Sequence, residues 1–142
     1  MKPETIKIGD KDLPIRIDYE VIEEIEESFD TLEKFQMELL GFEWKRNKDG
    51  SYEYDDEGKP QAVVTKPSMK ALKFILPLMV NEGIRYEAKK NNTEYEPIDD
   101  DLIIMECEID RMYLIDIIQK ELARCQKVKK PTPGENGKSR KR

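Results

Sequence analysis

The chain has 142 residues, 39% of them charged and 37% hydrophobic, with a formal net charge of −6. That length suits one domain with a real core rather than two, and the apolar fraction lies above the level at which burial fails to offset chain entropy. There is no histidine, which removes the commonest general base and metal ligand at neutral pH and points away from an enzyme.

The charge is unevenly placed. Gln126 to Arg142 carries seven Lys/Arg against one Glu, which leaves the preceding body at about −12. An acidic body repels nucleic acid, so phosphate binding would belong to the tail alone. Residues 127–142 hold Pro131, Pro133, Gly134, Gly137 and Ser139 with almost nothing apolar after Val128, and are expected to be a disordered basic tail. Cys107 and Cys125 are too far apart for a C-x-x-C pair and too few for a disulfide framework, as in a reduced cytosolic protein with thiols in its core. The start MKPETIKIGD lacks an apolar h-region, and no run approaches the roughly 18 apolar residues of a membrane helix. The expected location is the cytoplasm of the cell that makes the protein.

In chain order, Ile6 and Ile8, then Leu13, Ile15 and Ile17, alternate with polar residues or Pro14, which predicts two strands with one buried face. Gly9-Asp10-Lys11-Asp12 supplies the turn, and Pro14 leaves an open edge in the second strand. Asp18 stands as N-cap to a helix with Tyr19, Ile22, Ile25 and Phe29 as its apolar stripe. Glu20, Glu23, Glu24, Glu26 and Glu27 form its solvated face; without an interleaved basic or aromatic pocket residue they do not read as paired catalytic carboxylates. A second short helix opens at Asp30, with Glu33 completing a capping box, carries Leu32, Phe35, Leu39 and Leu40, and stops at Gly41.

From Phe42 to Thr65 the helical pattern breaks. Asp49-Gly50 between Phe42/Trp44 and Tyr52/Tyr54, and Glu57-Gly58 before Ala62-Val63-Val64, predict a two- or three-stranded flap. A calcium loop fails here, because aligning Gly50 or Gly58 with the invariant glycine puts Lys45 at the first ligand position or Val64 at the last. Trp44, Tyr52 and Tyr54 read either as a partner-binding patch or as cover for the core.

Pro67 suits the first turn of a helix running to about Lys89, apolar over most of its circumference and kinked at Pro77. Asn91-Asn92-Thr93 is a loop, Ile98 and Asp99 start further helix with Leu102, Ile103 and Ile104, and a last helix runs from Ile109 to about Lys127. Its expected apolar face is Met112, Tyr113, Ile117, Ile118, Leu122 and Cys125, with Asp110, Arg111, Lys120, Glu121 and Arg124 wet. Two such wide faces suit either simple burial or self-association. The fold class is α+β and predominantly α-helical: an N-terminal β-hairpin packed on a small helical bundle over residues 1–126, with a β-hairpin insertion at 42–65.

The segment IKIGDKDLPIRIDYEVIEEIEE, followed by the helix KALKFILPLMVNEGIRYEAKK and an acidic-start final helix, resembles the tail assembly chaperones of tailed phages and prophages of Gram-positive bacteria. The resemblance spans Thr5 to about Cys125 and is one of pattern, with no catalytic motif in it; the 42–65 insertion is longer than the family's usual connection. It implies a protein that binds the tape measure protein and the tail tube protein during tail morphogenesis and is absent from the finished particle. Phe74, Leu78 and Met79, with Tyr113 and Ile117, would then supply either the core or the apolar groove that holds a tape-measure helix or another copy of the chain. No G-x-x-x-x-G-K-[ST] signature is present, so chaperoning would be passive holding by mass action, with no cofactor and no metal.

The rival reading from another class is a nucleic-acid-associated regulator using the basic tail, against which stands the lack of a basic recognition face on the helices. A third is a structural component of the virion.

Overall fold

The computed structural model describes residues 4–129. Alternation at the start of the chain builds β1 (Thr5–Ile8) and β2 (Lys11–Pro14), an antiparallel pair in the register Ile8↔Lys11. The turn is therefore Gly9-Asp10 alone, and Lys11 and Asp12 belong to the second strand rather than to the loop. β2 also ends earlier than its alternation suggests. Past Pro14 the pairing continues only through the Ile15 amide, which donates to the Glu4 carbonyl at 3.0 Å, and Ile15 and Ile17, both buried, run on as chain laid on the helices.

α1 (Tyr19–Phe29) is capped as predicted by Asp18, whose carboxylate accepts from the Val21 amide. Its buried stripe is Val21, Ile25 and Phe29, with Ile22 half-buried; Tyr19 is 64% exposed. At 3.6 residues per turn Tyr19 lies about 160° around the helix from Val21, so it leaves the stripe. Asp30 does not open the next helix. Its amide donates to the Glu26 carbonyl and closes α1, while the Thr31 hydroxyl accepts from the Lys34 amide at 3.0 Å and caps α2 (Leu32–Leu40). With the cap one residue later, the capping box to Glu33 is lost. α2 buries Phe35, Met37 and Leu39 and leaves Leu40 exposed.

β3 (Phe42–Trp44) and β4 (Ala62–Val64) form a second antiparallel pair, the stem of the flap, with isolated bridges Arg46↔Tyr52 and Tyr54↔Pro60 beyond it. The chain then enters α3 (Met69–Lys90). Its cap is the Ser68 hydroxyl, accepting from Ala71, so Pro67 precedes the cap instead of occupying the first turn. Buried side chains on several of its faces, among them Leu72, Ile75, Leu76, Met79 and Val80, make it the central helix, and it continues through Pro77 to Lys90.

α4 (Asp100–Glu106) is capped by Asp99, and the loop before it is held by Asn81, whose side chain donates to the Ile98 carbonyl and accepts from the Ile98 amide. At the start of α5 (Arg111–Lys129), the Asp110 carboxylate accepts from the amides of Met112 and Tyr113. α5 runs past residue 127, where the tail was expected to begin; the rest of that expectation concerns residues 130–142, which lie outside those described.

One apolar cluster joins the hairpin to each of the five helices among the described residues, from Ile6 and Ile17 through Ile25 and Met79 to Ile103 and Ile118. Where α1, α2 and α3 meet, Phe29 packs edge-on against Phe35 and Phe74 at centroid distances of 5.1 and 5.2 Å, a geometry that adds about 1 kcal/mol per pair beyond burial. Cys125 is buried and Cys107 half-buried, both as free thiols.

Candidate functional site: a groove over the second strand and two helices

The hairpin approaches the central helix unusually closely. The Arg16 amide donates to the carbonyl of Met79 at 2.9 Å, so extended chain is hydrogen-bonded directly to the side of α3. The approach requires Gly83, where an added Cβ would sit 2.6 Å from the Pro14 carbonyl carbon and 2.8 Å from Ile15 Cα. α5 lies on the other side of the same strand. There the buried Glu121 carboxylate accepts from the Ile17 amide at 2.9 Å, and Arg124 donates to the Ile17 carbonyl at 2.9 Å while pairing with Glu121 at 2.8 Å.

These contacts hold β2, α3 and α5 apart by a fixed amount and leave a groove of about 540 Å³ between them. Its floor includes Pro14, Ile15, Gly83 and Ile117, and Tyr86 and Tyr113 stand on its sides, 39% and 61% exposed. Of the four cations around it, Arg16, Lys120 and Arg124 are paired with carboxylates, while Lys90 is in no ion pair among the described residues and stands 5.8 Å from the Tyr86 ring centroid. Arg16 lies 3.8 Å over the Tyr86 ring centroid and pairs with Asp18 at 3.1 Å; Lys120 pairs with Asp116 across one helical turn. Such a site offers an apolar floor, two aromatic edges and a balanced polar rim. It suits a segment of peptide better than a phosphate group, which would need several unpaired cations converging where this groove has Lys90 alone.

Beneath the rim two acids meet. Burial pushes Glu82 up, and its hydrogen bond with Asp18 adds to this, outweighing the pull of Arg85. Burial also acts to raise Asp18, but hydrogen bonds from Glu82, the Val21 amide and Arg16 prevail and hold it below the ordinary range. Glu82 therefore keeps its proton to higher pH than a free glutamate and Asp18 loses its own at lower pH than a free aspartate, with Arg85 bound to Glu82 through two bonds of 2.9 and 2.7 Å.

The candidate residues read from the sequence separate into three places. Met79 is fully buried; Phe74 is half-buried in the phenyl cluster and Leu78 is half-buried nearby on the same helix. Ile117 and Tyr113 reach the groove, Ile117 in its floor and Tyr113 on its side. Trp44, Tyr52 and Tyr54 lie in the flap, Trp44 half-buried with its ring 6.5 Å from Phe42, and Tyr52 and Tyr54 exposed. Two expectations for α5 are corrected. Met112 and Tyr113 are exposed, and Leu114 and Ile115 are buried in their stead; Glu121 is 6% exposed and Arg124 is half-buried, where both were expected wet. Glu121 had a legible signal, since it stands four residues after Ile117 and next to Leu122, inside the apolar stripe, with Arg124 three residues on. Gly83 and Tyr86 carried no such signal.

Among the described residues no helix is long and apolar enough to cross a membrane, and no group of three or more Cys, Asp or Glu is placed to hold a metal ion. Comparison with family models, curated proteins and solved structures finds no match for this chain.

Proposed function

We propose that the protein is a tail assembly chaperone of a phage or prophage, holding the tape measure protein, and engaging the tail tube protein, in the host cytoplasm until the tail assembles. The observation that carries this reading is the groove between β2, α3 and α5, with its apolar floor and its exposed Tyr86 and Tyr113. A tape measure is long, helical and apolar before tube forms around it, and a helix laid in a groove is a standard mode of recognition for such a segment. The acidic balance of the chain, −6 overall, keeps a holder of apolar segments dispersed. Release would follow from competition by the growing tube, since holding by mass action needs no nucleotide.

The test is co-expression of the tagged full chain with a tape measure and a tube subunit, followed by size exclusion and mass identification, together with analysis of finished particles. Co-elution with tape measure and absence from particles are the expected results. A chain that elutes alone and retards a DNA fragment overturns the proposal in favour of a nucleic-acid regulator; a chain found in particles overturns it in favour of a virion component.

A further inference from the structure

The flap is a three-way branch. The Lys45 amide donates to the Gln61 carbonyl (2.7 Å), the Gln61 amide to Glu53 (3.0 Å) and the Glu53 amide to Lys45 (2.9 Å), a closed ring of hydrogen bonds. From it one arm leaves as the β3–β4 stem and two as short hairpins. Both hairpins end in the same turn. Asn47 and Ser51 close one, Asp55 and Lys59 the other, each with an amide-to-carbonyl bond of 2.8 Å, and Gly50 and Gly58 take φ of +91° and +80° at equivalent places.

The two arms differ in charge. Residues 45–52 carry Lys45, Arg46 and Lys48 against Asp49; residues 53–60 carry Glu53, Asp55, Asp56 and Glu57 against Lys59. Lys45 and Glu53 neutralise each other at the junction at 3.2 Å. At the tips, Lys48 and Asp56 are in no ion pair among the described residues, and Glu57 reaches only its neighbour Lys59 at 3.9 Å. Lys45–Glu53 is the only ion pair between the two arms among the described residues, and the tip charges have no partner across the branch within one copy. The stem adds an apolar face: register and alternation put Phe42, Trp44, Ala62 and Val64 on one side, and Val64 is 91% exposed.

We infer that the flap is a homodimerisation surface, on which a second copy related by a two-fold axis sets its acidic arm against the basic arm of the first and covers the apolar stem face. The occupant follows from the charge pattern, because a surface carrying both signs on separate arms is complementary to itself under a two-fold rotation. The flap root and the groove lie near opposite ends of α3; Ser68 to Gly83 spans roughly 20 Å at 1.5 Å per residue. Dimerisation here leaves the groove free, so the inference stands apart from the chaperone reading.

Sedimentation of the full chain over a range of concentrations, at low and high salt, tests it. The expected result is a concentration-dependent dimer that weakens with salt. Lys48→Glu alone, or Asp56→Lys with Glu57→Lys, should each weaken it about tenfold or more. All three positions are exposed, and an unchanged circular dichroism spectrum checks that each variant is folded. Mixing the two variants should restore a mixed dimer, because each then meets an arm of opposite sign. Three outcomes overturn the inference: a monomer at all concentrations, a dimer indifferent to both variants, or variants that dimerise normally but lose capture of a co-expressed client, which would assign the flap to that client.

Discussion

Glu121 accepts the amide proton of Ile17 at 2.9 Å across 104 residues of sequence, and Arg124 binds the carbonyl of that same residue. One helical turn of α5 thus satisfies both backbone groups of an extended residue that has no strand neighbour. Buried peptide groups must be paired, and here side chains replace a missing strand.

Removing that acid should be costly. Glu121→Ala leaves the Ile17 amide unpaired and the Arg124 guanidinium half-buried without its carboxylate, for a loss of about 3 kcal/mol. Glu121→Gln keeps an acceptor for the amide and should lose about half as much. Urea denaturation of the three proteins measures both; equal stabilities would mean that water replaces the carboxylate.

Gly83 offers a test in which intrinsic propensity and packing oppose each other. Alanine is favoured over glycine in a helix by about 1 kcal/mol, yet at this position its methyl meets the backbone of Pro14 and Ile15. Backbone on both sides has little room to move, so Gly83→Ala should destabilise by about 2 kcal/mol or more and loosen the Arg16–Met79 hydrogen bond. A thermal melt gives the sign, and amide exchange at Arg16 reports the local opening.

The Asp18–Glu82 pair predicts opposite pH behaviour for its two members. Glu82 has a folded-state pKa above its usual 4.5, so it contributes stability when protonated, and that contribution is lost as pH rises through the folded value. Asp18 lies below its usual 3.8; its contribution is present above that value and lost as pH falls through the folded one. Glu82→Gln, a permanent donor, should therefore gain on the wild type as pH rises from about 4 to about 7. Asp18→Asn should cost more at neutral pH than in acid. Denaturation curves across that range decide it, and parallel profiles for all three proteins would exclude the opposed shifts of the pair.

The groove and the core separate in mutagenesis. Tyr113 is 61% exposed, so Tyr113→Ala should change stability by less than about 0.5 kcal/mol while weakening client capture about tenfold or more if the groove holds the client. Met79 is fully buried, and Met79→Ala should cost about 2–5 kcal/mol. A Tyr113→Ala variant with unaltered capture would move the client away from the groove.

Helix and strand periodicity, caps and turn residues were readable by themselves because they depend on neighbours within one or two turns of chain. Asp18, Gly41 and Asp99 end or begin helices where the sequence predicts, and Ile6, Ile8, Ile25 and Ile118 are buried as their spacing requires. Where two caps competed, at Asp30 and Thr31, a shift of one residue lay beyond local pattern, because both are good capping residues and the chain reversal between the helices decides.

The sequence by itself determined the fold class, the flap and the acidic character of the chain. Only the tertiary structure decided which side of α5 faces inward, since a helix with apolar residues over most of its circumference has no unique inner face until its neighbours choose one; that choice exposed Met112 and Tyr113 and buried Glu121. The groove belongs to the same class of fact. It exists because Gly83 admits the backbone of Pro14 against α3 while Glu121 and Arg124 hold Ile17 against α5, and contacts between residues some seventy to a hundred positions apart leave no periodic trace in a chain.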